Sequence, residues 1–186
     1  MFDLDKNLNL YAKGMVPDEF SKPATFKEWA AVVIPRFIEL GAYYEKTLAG
    51  DGKMVGIEKK EIIEQLSIIF NAILALRLQV NEKKDMEFSL KKEKRGIINF
   101  VFSSSTFWEL KGTLPGNYKV RVDKFSQWFN KNFSGKFKEL ISTYGKALED
   151  GVITPEEKES IYEVIDPTLF EIIIIVLYLE RTLVNQ

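Results

Sequence analysis

Between Thr25 and Ala49 the apolar positions fall at three- and four-residue steps: Trp29, Val32, Val33, Phe37, Leu40 and Tyr44. That is the spacing of one face of an α-helix. Thr25 can cap its start, with Glu28 as the reciprocal partner of a capping box. Pro35 lies inside the stretch and is expected to kink the helix or split it. A second stripe, Phe125, Trp128, Phe129, Phe133, Phe137, Leu140, Ile141 and Tyr144, predicts a helix over about 122–148. The Asp150-Gly151 turn should end it. The next helix has an explicit start: Thr154 as N-cap, Pro155 at the first position, and Glu156 and Glu157 where the helix dipole favours negative charge. It is expected to reach about Ile165 and to break at Asp166-Pro167, because a residue before proline disfavours the helical region.

The pattern occurs twice. Lys13-Gly14-Met15-Val16-Pro17-Asp18-Glu19-Phe20 and Lys111-Gly112-Thr113-Leu114-Pro115-Gly116-Asn117-Tyr118 both read Lys-Gly-x-apolar-Pro-x-x-aromatic. Phe26-Lys27-Glu28-Trp29 matches Phe125-Ser126-Gln127-Trp128, and Asp51-Gly52 matches Asp150-Gly151. Glu58-Lys59 and Glu157-Lys158, Ile62 and Ile161, and Phe70 and Phe170 follow in step, at offsets of 98 to 100 throughout. An ordered series at a near-constant offset predicts two homologous helical repeats, 8–82 and 106–186, joined by a connector at 83–105. Their apolar faces should pack on each other with pseudo-twofold symmetry in one compact unit, since either half alone would leave too much apolar surface in water.

The duplication also decides an ambiguous segment. Ile172 to Val176, within Thr168–Leu183, is a β-branched run that alone suggests a buried strand. Its counterpart, Ile69 to Leu78, is rich in Ala and Leu, which favour helix. Homologous segments share a conformation, so both are expected to be helical. The connector differs. Met86 to Leu90 alternates, 91–96 is polar, and Ile97 to Phe102 is apolar, which reads either as a hairpin or as a continued helix. Tyr118 to Val122 alternates too. The expected fold is mainly α, with a small antiparallel β element around 86–102 and 118–122.

Composition narrows the chemistry. The chain has 186 residues with 26 Lys+Arg against 27 Asp+Glu, and neither Cys nor His. Disulfides, thiol nucleophiles, zinc sites built on Cys or His, Ser-His-Asp triads and imidazole acid–base catalysis are therefore excluded. Near-zero net charge gives no general attraction to nucleic acid or anionic membrane. Aromatic residues make up 13% of the chain, which supports a globular core rather than disorder. The acidic start Met1-Phe2-Asp3-Leu4-Asp5 lacks the apolar stretch of a secretory signal. The apolar run Ile172 to Leu179 is far shorter than the roughly 20 residues a spanning helix needs.

Candidate chemistry is thin. Asp51-Gly52 with Glu58, and Asp150-Gly151 with Glu157, match the second half of a calcium-binding EF-hand loop. The first half would use Thr47 and Ala49, or Lys146 and Leu148, which do not supply the oxygen ligands. A turn followed by a capped helix accounts for these residues. The motif resembles helix–turn–helix units of small bacterial and bacteriophage α-helical proteins, tellurite-resistance-type domains among them. Lys83, Lys84, Lys91, Lys92, Lys94 and Arg95 lie near Phe88, Phe100 and Phe102, but Glu82, Asp85, Glu87 and Glu93 interleave, so the stretch reads as a solvated turn. Glu156/Glu157 and Glu61/Glu64 are carboxylate pairs without a sign of a cleft. Ser103-Ser104-Ser105-Thr106 lacks a base nearby in sequence and reads as a loop leading toward Trp108. Trp29 and Trp128 are expected in the core rather than on a partner-binding surface.

No residue is nominated as catalytic, cofactor-binding or metal-ligating, and no cofactor is expected. The expected function is non-enzymatic: a structural or interaction protein that binds a protein partner or its own copies, with no specific nucleic acid and no transmembrane segment. The resemblance suggests a bacteriophage or mobile-element component in the host cytoplasm or the virion. The alternatives are peripheral membrane association through the Ile172–Leu179 helix, or weak divalent-cation binding at the Asp-Gly turns.

Overall fold

The computed structural model describes residues 2–3, 8–23, 25–49, 56–81, 87–91, 96–102, 107–114, 119–120 and 134–184. In chain order these form β1 (Phe2–Asp3), β2 (Leu8–Met15), α1 (Asp18–Ser21), α2 (Phe26–Ala49), α3 (Gly56–Asn81), β3 (Glu87–Lys91), β4 (Ile97–Phe102), β5 (Phe107–Leu114), β6 (Lys119–Val120), α4 (Ser134–Ala147) and α5 (Pro155–Val184). The chain is mainly helical, with one four-stranded antiparallel sheet in the order β2-β5-β4-β3 and a short β1–β6 pair.

The elements stack by polarity. One face of the sheet is apolar: Leu10, Trp108, Leu110, Ile98, Phe100, Phe102, Phe88 and Leu90 are buried. The alternate positions Tyr11, Met15, Phe107, Ile97 and Val101 are exposed, as a period of two requires. The buried face lies on α3, where Phe70 meets Phe100 at 6.0 Å and Trp108 at 5.7 Å. The helix α3 packs along α5, α2 packs on α3, and α4 packs on α5. A helix buried between two layers is apolar all round rather than on one stripe. Seven successive residues of α3, Ala72–Leu78, and four of α5, Ile172–Ile175, are buried accordingly. The outer helices α2 and α4 meet through Phe37 and Phe137, stacked at 4.2 Å.

Several expectations hold. Glu28 N donates to Thr25 Oγ1 at 3.2 Å, the predicted cap of α2. Thr154 and Glu157 form a reciprocal capping box: Glu157 N donates to Thr154 Oγ1 at 3.2 Å, and Thr154 N donates to Glu157 Oε2 at 2.9 Å. The turn before it holds Gly151 at φ 79°, and Val152 N donates to Asp150 Oδ1 at 3.1 Å. Trp29 is fully buried and donates Nε1–H to Ala72 O at 3.0 Å. The connector is a hairpin, β3 with β4, rather than a continued helix.

Four expectations are corrected. The β element is not confined to 86–102 and 118–122. Leu8–Met15 and Phe107–Leu114, assigned to the helical repeats, pair with each other along their whole length and form half the sheet, so the chain is not all-α. Their signal was hidden because each strand finds its partner about a hundred residues away. Second, Asp166-Pro167 does not break the helix, since α5 continues from Pro155 to Val184. Burial of the apolar residues on both sides of Pro167 outweighs one missing backbone bond. Third, the segments predicted as separate second and third helices are therefore single elements, α3 and α5. Fourth, of the two outcomes expected at Pro35, the split does not occur, since α2 runs unbroken from Phe26 to Ala49. Of the helix expected over 122–148, the part before Ser134, including Phe125, Trp128, Phe129 and Phe133, lies outside the described residues.

Candidate functional site

A groove of about 370 Å³ runs where the sheet meets the central helices. Three elements build it. On α3, Ser67, Phe70 and Asn71 share one face at i, i+3 and i+4. On α5, Ile173, Val176, Leu177 and Glu180 do the same one layer over. From β2 come five consecutive residues, Leu10 to Gly14, while Trp108 and Leu110 of β5 close the base. Consecutive strand residues point to opposite faces, so only the rim of a strand can present all five. The groove therefore follows the edge of β2. That strand ends the sheet: it pairs with β5 on one side and with no strand on the other among the described residues. A row of its backbone N–H and C=O groups stands outside any ladder.

The base of the groove is already hydrogen-bonded. Trp108 donates Nε1–H to Asn71 Oδ1 at 3.1 Å, Asn71 donates Nδ2–H to Ser67 O at 2.9 Å, and Ser67 donates Oγ–H to Ile63 O at 2.8 Å. Gly14 stands opposite Trp108, and a Cβ added there would lie 2.5 Å from the indole ring. The ring thus lies against bare backbone, and only glycine permits it. At the rim, Tyr11, Lys13 and Glu180 are exposed. Burial against the apolar helix face still raises the Glu180 carboxyl above its ordinary value. No cation among the described residues forms an ion pair with it.

A second charged cluster is closed. Arg77 of α3 donates to Asp166 of α5 through Nε at 2.7 Å and Nη2 at 3.3 Å. The Arg77 guanidinium lies 3.9 Å from the Phe88 ring centroid and 4.2 Å from that of Tyr162. The Arg77 side chain is only 7% exposed. Burial pushes the Asp166 carboxyl above its usual range, and Arg77 pulls it part of the way back. Burial also raises the Tyr162 hydroxyl, again with Arg77 opposing. A bidentate pair held between two rings ties α3, α5 and β3 together, and its oxygens already receive the guanidinium donors.

The features singled out in the sequence scatter. Glu157 serves its helix cap and Asp150 its turn, while Asp51 and Gly52 lie outside the described residues. Among the described residues no group of three or more acidic side chains is placed to hold a metal. Glu61 accepts from Gln65 Nε2 at 3.1 Å, and Glu64 is exposed on the same helix. Phe88, Phe100 and Phe102 are core, whereas Lys83, Lys84, Lys92, Lys94, Arg95 and 103–106 lie outside the described residues. Ile172–Ile175 and Leu179 are buried, and no helix among the described residues is long and apolar enough to cross a membrane. Sequence reasoning missed the β2 edge and Glu180. The available signals were the alternation Leu8-Asn9-Leu10-Tyr11-Ala12-Lys13 and a glutamate in step with Ile173, Val176 and Leu177.

Comparison with known protein families, curated proteins and solved structures finds no match.

Proposed function

We propose that this is a non-enzymatic binding protein that engages a protein partner along the open edge of β2. The observation that carries the reading is a strand edge, unpaired among the described residues, lying beside a mostly apolar groove whose base is already hydrogen-bonded. Such an edge takes an added strand by main-chain hydrogen bonds, and the adjacent groove takes its side chains. The excluded chemistries point the same way: a chain with no Cys or His offers neither a thiol nucleophile nor an imidazole base. A cytoplasmic location, or the virion for a bacteriophage or mobile-element component, accompanies this reading, and the flanking genes test that origin. A photo-crosslinking residue at position 177, introduced in the source cell, should yield a protein adduct. A strict monomer without an adduct would overturn the proposal.

We also propose that 8–82 and 106–186 descend from one duplicated unit with pseudo-twofold symmetry. Supporting this, Gly14 faces Trp108 and Gly112 faces Leu10 across the β2–β5 pair, two pairings that exchange under an offset of 98. Ile62 and Ile161, and Leu66 and Ile165, equivalent at an offset of 99, are all buried. The pairing of α2 with α3 is matched by that of α4 with α5.

A further inference from the structure

We propose that the occupant of the groove is a short extended peptide segment whose alternate side chains are apolar and which carries a lysine or arginine for Glu180. The inference rests on the binding reading above and specifies its partner. The geometry sets the length. The five residues of β2 that line the groove span about 16 Å at ~3.3 Å per residue, so about five partner residues can pair with them. In an added strand, side chains at every second position point toward the helices. A void of ~150 Å³ holds one benzene ring, so the groove of about 370 Å³ holds two large apolar side chains. Phe70, Leu110, Ile173, Val176 and Leu177 surround them, and the Trp108–Asn71–Ser67 chain has no group left to demand a polar one.

Charge selects the remaining feature. Glu180 sits on the groove-facing stripe of α5 without an ion-pair partner among the described residues. Bringing a strand over the groove removes water from that carboxylate, a cost that a cation on the incoming chain offsets. An acidic or purely apolar segment leaves it buried and unpaired.

The test is selection of random seven-residue peptides on the purified full chain, followed by titration of a selected peptide. The expected peptides alternate two apolar residues and include Lys or Arg. Methylating two backbone nitrogens on the pairing edge of the peptide should weaken binding about tenfold or more, because each lost main-chain bond contributes about 1 kcal/mol. Glu180→Gln should weaken it about fivefold and Glu180→Lys roughly tenfold, with the wild-type affinity falling as salt rises. If binding persists but ignores both Glu180 variants and salt, the partner chemistry is wrong and the groove reading stands. Should no peptide be enriched, or should methylation have no effect, the edge reading itself fails and this proposal with it. A concentration-dependent dimer that binds no peptide and becomes monomeric in Leu177→Asp would make a second copy the occupant and overturn the peptide.

Discussion

Asp166 and Glu180 lie on the same helix, about 21 Å apart along its axis at ~1.5 Å per residue. Burial raises both carboxyls above their ordinary values. Around Asp166 the chain supplies everything the charge needs: a bidentate guanidinium, and two rings that hold that guanidinium in place. Around Glu180 it supplies a mostly apolar groove, an open strand edge and, at the rim, Lys13, which forms no ion pair with it. The first carboxylate is completed within the fold. The second has no cation paired with it among the described residues, and burial alone shifts it. That contrast separates a charge the fold completes from one it leaves open, which the two pKa directions alone do not.

The closed region should respond most. Trp29→Ala removes a fully buried indole and its bond to Ala72 O, and should cost about 3–5 kcal/mol in denaturant unfolding. A loss below 1 kcal/mol would deny that α2 is anchored to α3 there. Arg77→Met leaves Asp166 without its cation and should cost about 3 kcal/mol near neutral pH. The sign of its pH dependence follows from the direction of the shift. A raised carboxyl favours folding below its ordinary range and loses that contribution as pH rises through the raised value. Without Arg77 the Asp166 value rises further, so the variant's deficit should shrink toward pH 4. A deficit that grows on acidification would contradict the burial term.

Two smaller effects concern the open region. Gly14→Ala drives a methyl into the Trp108 ring and should cost about 1–3 kcal/mol, read as a lower melting temperature. An unchanged melt would mean that the strand does not lie against the indole. Glu180→Gln should have the opposite sign. It removes an unpaired, half-covered charge and should stabilise the free protein by about 0.5 kcal/mol or less near neutral pH, since exposure screens the penalty. The gain should vanish below the ordinary carboxylate range. Stabilisation of the free chain together with loss of peptide affinity marks a residue kept for binding, and equal losses of both would erase the distinction from Asp166.

What could be read from the sequence was local. The caps at Thr25 and Thr154, the Asp150-Gly151 turn, the stripe Trp29–Tyr44 and the alternation around Phe88 each depend on residues within a turn or two of each other. The missed features depend on distance along the chain. Leu8–Met15 alternates, but Gly14 entered only as part of the repeated Lys-Gly motif, because its reason, the Trp108 ring, lies in another strand. Pro167 read as a stop, because a local steric rule carries no knowledge of the buried isoleucines beyond it. Arg77 stood in plain view inside an apolar run, yet its partner is 89 residues away. An isolated cation in such a run signals that a carboxylate must exist somewhere, without saying which. Glu180 was legible only as a helix position until the edge of β2 was set beside it.

The pairing of β2 with β5 also has a consequence for how the protein comes into being. Residues Leu8–Met15 are made about a hundred residues before their partners Phe107–Leu114. At ~5–20 residues per second, the amino-terminal strand waits roughly 5–20 s on the ribosome with both of its edges bare. Tyr11 and Met15 offer adhesive surface throughout that interval. The nascent chain therefore exposes a strand open to misassociation before its sheet exists, and anything that covers Leu8–Met15 through that interval lowers the risk.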